Sequence, residues 1–176
     1  KKKILIEKST LKQYNWLNSM ISIILLFFCV GLIYYQINQN NLNYRLFNKY
    51  YNSENIIDLT RGTQNEATIK FQQKNFKEAS KLFENILYKD TSNIAVFFYY
   101  GISNIETKNY DTAIYTFNEI IKQNDNLYIE HAQWYLGLCY SITKEKDKAI
   151  IEFIKISNDP ENYHQEEAKN ILKRLN

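Results

Sequence analysis

The sequence predicts an all-α chain: an N-terminal transmembrane helix, then an α-solenoid of about three helix pairs, closed by a C-terminal capping helix. Three observations carry this expectation. The 176 residues hold only 4 glycines and 1 proline, too few turn formers for a loop-rich sandwich or barrel. No charged residue stands between Gln13 and Tyr44. One nine-residue pattern, centred on Ala79, returns around Ala113 and again around Ala149.

The charge distribution defines the first element. Lys+Arg 22 against Asp+Glu 19 leave a formal net charge of +3. The excess sits in residues 1–15, where Lys1, Lys2, Lys3, Lys8 and Lys12 stand against Glu7 alone. Residues 16–36 follow as an apolar run rich in Ile, Leu and Phe. Some twenty residues at about 1.5 Å each make a helix of roughly 30 Å, the thickness of a bilayer's hydrocarbon core. Trp16 at one end and Tyr34 and Tyr35 at the other put amphipathic rings at the two interfaces. Five lysines precede the run and Arg45 and Lys49 follow it. The positive-inside rule therefore places residues 1–15 in the cytoplasm as a basic tail and the remainder beyond the inner membrane, in the periplasm or its equivalent. A cleavable signal peptide fits less well, because the run is long and Tyr34-Tyr35-Gln36-Ile37 has no small-residue cleavage site. The lysine run reads as a topology determinant, so no nucleic-acid partner is expected, and lipid is the expected neighbour of residues 16–36.

Residues 37–60 read as a juxtamembrane linker. Asn38, Gln39, Asn40, Asn41 and Asn43 have no period that buries a face. Leu46, Phe47, Tyr50 and Tyr51 come next, and either pack on the following domain or lie at the membrane surface.

Residues 61–176 carry the repeat. Ala79/Phe83/Ile86, Ala113/Phe117/Ile120 and Ala149/Phe153/Ile156 share spacings of four and three, one face of a helix. Twelve residues before each alanine stands another small residue, Ala67, Gly101 or Gly137. Each unit is thus a pair of helices with a small residue on each where they cross. A helix-interior glycine costs about 1 kcal/mol relative to alanine, so two in register imply close packing. Ala168, Ile171, Leu172 and Leu175, set among charges, form the amphipathic cap.

This period and these small residues resemble the tetratricopeptide repeat (TPR) family. In the second unit Tyr100-Gly101, Tyr110, Ala113, Phe117 and Ile120 match its pattern, with Asn104 departing where an aromatic is usual. Leu136-Gly137, Tyr140, Ala149, Phe153 and Ile156 match in the third, and the first is weaker. The arrangement of tail, span, spacer and stack also resembles bacterial single-pass inner-membrane proteins with TPR domains, some laid out like anti-sigma-type regulators, others like accessories of secretion or envelope assembly.

The family resemblance implies a partner-binding groove along the first helix of each pair. The corresponding positions are Arg61, Gln64 and Thr68; Phe98, Ile102 and Ile105; and His131, Trp134, Leu138 and Ser141. Such a groove is aromatic and aliphatic, suited to a peptide with hydrophobic anchors. It lacks the Lys, Arg and Asn clamp by which some family members hold a C-terminal carboxylate. The alternative is that Phe98 and Trp134 are covered by the linker aromatics or the cap. His131 and His164 have no third ligand at metal spacing and read as surface residues. Cys139 reads as a small buried apolar residue. No phosphate loop, nucleophile elbow or Ser/His/Asp constellation can be assembled. The expected protein is a non-enzymatic, membrane-anchored interaction module, an adaptor or scaffold, without cofactor, metal or small-molecule substrate. The competing expectations are a membrane signalling regulator and a structural subunit of a large membrane complex.

Overall fold

Among the described residues every regular element is a helix. The computed structural model describes residues 2–52, 65–124 and 127–175, and for residues 2–15, 17–19 and 40 the backbone alone. The chain divides into two units, Lys1–Leu42 and Asn43–Asn176.

The first unit is formed by α1, a helix that runs Lys2–Tyr50 and contributes its last residues to the second unit. Its side chains from Met20 to Asn38 are exposed. It is long and apolar enough to cross a membrane, by length and composition. The helix does not end with the apolar run: the polar segment after Gln36 is helical as far as Tyr50. Forty-nine residues amount to roughly 70 Å of helix, more than twice the hydrocarbon thickness.

The second unit contains α2 (Glu66–Gln72), α3 (Phe76–Lys89), α4 (Ile94–Glu106), α5 (Tyr110–Lys122), α6 (Ile129–Ile142), α7 (Lys146–Asn158) and α8 (Gln165–Leu175). Each packs chiefly on its neighbours in the chain, the quasi-one-dimensional order of a solenoid. Asparagine starts several helices. Asn65 caps α2, accepting from the Thr68 amide at 2.8 Å while its own amide donates to the Thr68 hydroxyl at 3.3 Å. Asn93 accepts from the Val96 amide at 3.1 Å. These side chains satisfy amides that a helix start leaves unpaired.

The interior follows the repeated small-plus-aromatic pattern. Ala79, Ala113, Ala149 and the aromatics Phe83, Phe117 and Phe153 are all fully buried. The glycines sit where the pattern placed them: an ideal Cβ at Gly101 would lie 2.8 Å from Cε1 of Phe117, and one at Gly137 2.8 Å from Cε1 of Phe153. Asn104, the departure from an aromatic, is buried but paired. Its Nδ2 donates to the Tyr100 carbonyl at 2.8 Å, and its Oδ1 accepts from Asn109 Nδ2 at 3.2 Å. In the last helix Ala168, Ile171 and Leu175 face inward, with Glu166 and Glu167 in the first turn and Lys173 and Arg174 in the last, as the helix dipole favours.

The turn inside each pair is built the same way three times. Lys74, Lys108 and Lys144 have φ of 59°, 61° and 70°. The amides of Lys108 and Asn109 reach back to the carbonyls of Ile105 and Asn104, at 2.9 and 2.8 Å. The other two turns repeat this doubled bond. This is the left-handed helix ending that glycine occupies at least cost. Lys108→Gly and Lys144→Gly are therefore expected to stabilise the stack, each by about 1 kcal/mol. Chemical denaturation of the two variants checks this; a lower midpoint in both would contradict it.

Candidate functional site

The first helices of the second and third pairs are buried on more than one side. In α4 eight of 13 residues are buried and in α6 nine of 14, against four of 13 in α5 and in α7. Part of the cover on α4 and α6 comes from the segment 43–52, the end of α1 and the two residues after it. Leu46 and Phe47 in this strap are 1% and 7% exposed. The Phe47 ring stacks on Tyr51 at 4.9 Å and meets Tyr110 edge-on at 6.0 Å. Tyr50 meets Trp134 at 6.1 Å and Tyr51 meets Tyr135 at 5.8 Å, both edge-on. The Tyr51 hydroxyl donates to Glu106 Oε1 at 2.9 Å, and the Tyr135 hydroxyl donates to the Asn52 carbonyl at 3.3 Å. Of the two fates open to the linker aromatics, the structure has them packed on the repeats.

Beside the strap lies a cleft of about 430 Å³, lined by Lys49, Tyr50 and Asn52, by Phe98, and by His131, Trp134, Tyr135, Tyr163, His164 and Glu167. A second cleft of about 180 Å³ lies against Tyr44, Phe47, Asn48 and Tyr51, with Ile105, Glu106, Lys108 and Tyr110 opposite. Aromatic rings dominate the larger one. The His164 ring lies flat on Trp134, 4.3 Å away with planes 5° apart, and Phe98 contacts Tyr128 at 5.0 Å.

Of the groove positions expected from the sequence, Phe98, His131 and Trp134 come together at this cleft. Phe98 and Trp134 show only an edge there, being 1% and 2% exposed. Ile102 and Leu138 are fully buried and Ser141 bonds the Gly137 carbonyl at 3.0 Å, so these three serve the interior. Thr68 is held in the α2 cap and Ile105 borders the smaller cleft. Arg61 and Gln64 lie outside the described residues.

The expectation that His131 and His164 are surface residues is corrected. Both are half-buried, with ring centroids 5.8 Å apart, because the start of α8 returns over α6. Their separation of about one repeat length was the available signal, since residues one period apart stack along a solenoid. Tyr50 enters as the alternative had it, a linker aromatic against Trp134, whereas Lys49, Tyr163 and Glu167 were missed because the strap and the cap supply walls that the repeat pattern does not encode, and Tyr135 was missed on α6 itself.

Burial holds the His131 imidazole below its ordinary pKa, against the opposing pull of Glu130. His164 is pushed down to about 4, first by burial and then by the neighbouring His131. Its Nε2 is buried with no hydrogen-bond partner among the described residues. The unfolded chain takes up this proton near pH 6.5 and the folded one only near 4. Stability is therefore unaffected above about 6.5 and falls as the pH drops through that interval. Allowing for solvent screening of a half-exposed ring, the loss is about 1–2 kcal/mol. In His164→Phe, which keeps a ring on Trp134, the melting-temperature advantage over the parent is expected to widen between pH 7.5 and 4.5. A constant gap would refute the assignment.

Cys139 is fully buried, and burial pushes its thiol up, away from the reactive thiolate. Among the described residues no three His, Cys, Asp or Glu side chains converge as metal donors.

Comparison with known proteins places this geometry. Residues 95–126, essentially the α4–α5 pair, match the family model of the tetratricopeptide repeat. No curated protein matches the chain. Among solved structures it is similar to the type III secretion translocator chaperone SycD of Yersinia enterocolitica, with 17% sequence identity and a TM-score of 0.54, over 70% of this chain and 82% of that one. At that identity the likeness speaks for the fold. Helix pairs in register, small residues at their crossings, the matched α4–α5 pair and the shared fold make Glu66–Leu175 a helical stack of the tetratricopeptide-repeat type.

Proposed function

We propose that the protein is a non-enzymatic interaction module, held at a membrane by α1, which binds a protein segment along the face formed by α4 and α6. The observation that carries this reading is the ring-lined cleft of about 430 Å³ beside the strap. Aromatic walls with a few polar groups at the rim suit a peptide with hydrophobic anchors, and large rings contribute most of the energy in such contacts. The similar fold of a translocator chaperone supports a polypeptide ligand. The rim residues Tyr163 and Glu167 are the contacts proposed, together with the exposed edges of His131, Phe98 and Trp134.

Membrane anchoring rests on the exposed apolar surface of α1 and on the lysines that precede it. The N-terminus is then cytoplasmic and the repeats extracytoplasmic. A photo-crosslinking residue at Tyr163 in intact membranes is expected to capture a defined protein, whereas one at Tyr88, 91% exposed on α3, is not. Equal capture at both positions, or none at Tyr163, refutes the groove reading. Protease added outside spheroplasts is expected to cleave the repeats; full protection would reverse the topology.

A further inference from the structure

We propose that the strap is a displaceable intramolecular occupant of the groove, and that the partner is a basic, aromatic helical segment able to take its place. This deepens the groove reading above and rests on it.

The strap is seated as a ligand would be. Phe47, Tyr50 and Tyr51 stand at i, i+3 and i+4, one face of a helical turn. Each ring meets a ring of the repeats. One hydroxyl donates to a carboxylate, Glu106, and one carbonyl accepts from Tyr135. Charge leans the same way: residues 43–52 contain Arg45 and Lys49 and no acid, while the cleft walls opposite hold Glu106 and Glu167 against Lys108 alone.

The strap is also open to solvent along its edges. Open clefts of about 430 and 180 Å³ lie along the strap, so its edges face solvent where an incoming chain can begin to replace it. Polar bonds at the strap's end, Tyr51 to Glu106 and Tyr135 to Asn52, are of the kind that water or another chain can take over. A ligand meeting a groove that is mostly covered binds more weakly in proportion to the fraction of molecules in which it is open. The strap thereby sets a threshold on partner affinity.

The test uses the full chain in detergent micelles and a fluorescein-labelled peptide with the sequence of residues 43–52 as probe. The peptide is expected to bind Tyr50→Ser/Tyr51→Ser at least tenfold more tightly than the parent, and Tyr51→Phe about threefold more tightly. A scrambled peptide should bind none of them. If the double variant fails to melt cooperatively, Tyr51→Phe alone decides, since it removes only the hydroxyl bonded to Glu106. Equal affinity for parent and variants, or no binding to any of them, overturns the proposal. So does dimerisation of the double variant in place of peptide binding, which would assign the seat to a second copy. Failure here with capture at Tyr163 intact would leave the groove reading standing; peptide exchange without capture in membranes would do the reverse.

Discussion

Gly137→Leu is expected to lower the melting temperature of the repeats by roughly 10 °C or more. A Cβ at this position would stand 2.8 Å from Cε1 and 3.0 Å from Cζ of Phe153. That ring is fully buried and backed by Trp134 at 5.8 Å, so it has no free direction in which to move. Overpacking of this kind costs about 1–3 kcal/mol even for smaller additions, a large share of the about 5–15 kcal/mol that holds a domain together. Gly137→Ala brings the same Cβ against the ring without the rest of the leucine side chain, and its melting temperature should fall between those of the parent and Gly137→Leu. Gly31→Leu is the control: nothing lies within 4 Å of a Cβ there, and the repeat transition should not move. Coincident melting of Gly137→Leu and Gly31→Leu would show that helix crossing is not what requires the glycine.

These glycines show why the solenoid was legible in the sequence. A repeat writes the same steric demand several times, so Ala67, Gly101 and Gly137 confirm one another in the sequence itself, as do Phe83, Phe117 and Phe153. The turn conformation was hidden, because Lys74, Lys108 and Lys144 occupy a backbone region in which glycine would have announced itself. The site was only partly legible. Phe98, His131 and Trp134 follow from the repeat register, but register does not say how much of each ring remains open. Exposure there is set by residues outside the pattern: Tyr50 and Tyr51 from the strap and His164 from the start of α8. The strap's own placement was ambiguous because Leu46, Phe47, Tyr50 and Tyr51 would suit a membrane surface as well as a protein face.

Trp134 brings these two levels together, and Trp134→Ala is expected to fail as a binding probe because it fails first as a fold. The side chain is 2% exposed. It is stacked on His164 at 4.3 Å, edge-on to Phe153 at 5.8 Å and to Tyr50 at 6.1 Å. Removing a buried ring of this size costs about 3–5 kcal/mol in transfer and cavity terms. The same substitution takes away the surface on which the cap and the strap both rest, so the loss extends beyond α6. Phe98→Ala, at 1% exposure, carries a similar penalty, and the pair together should leave the stack largely unfolded. Tyr163→Ser and Glu167→Gln, at the rim of the cleft, should instead leave the melting curve within about 0.5 kcal/mol of the parent and reduce capture of the bound protein. Circular dichroism melts run beside the crosslinking assay separate the two outcomes. A Trp134→Ala chain that melts with the parent yet loses its partner would mean that Trp134 is a contact residue, and that the strap and cap hold to α6 through other rings.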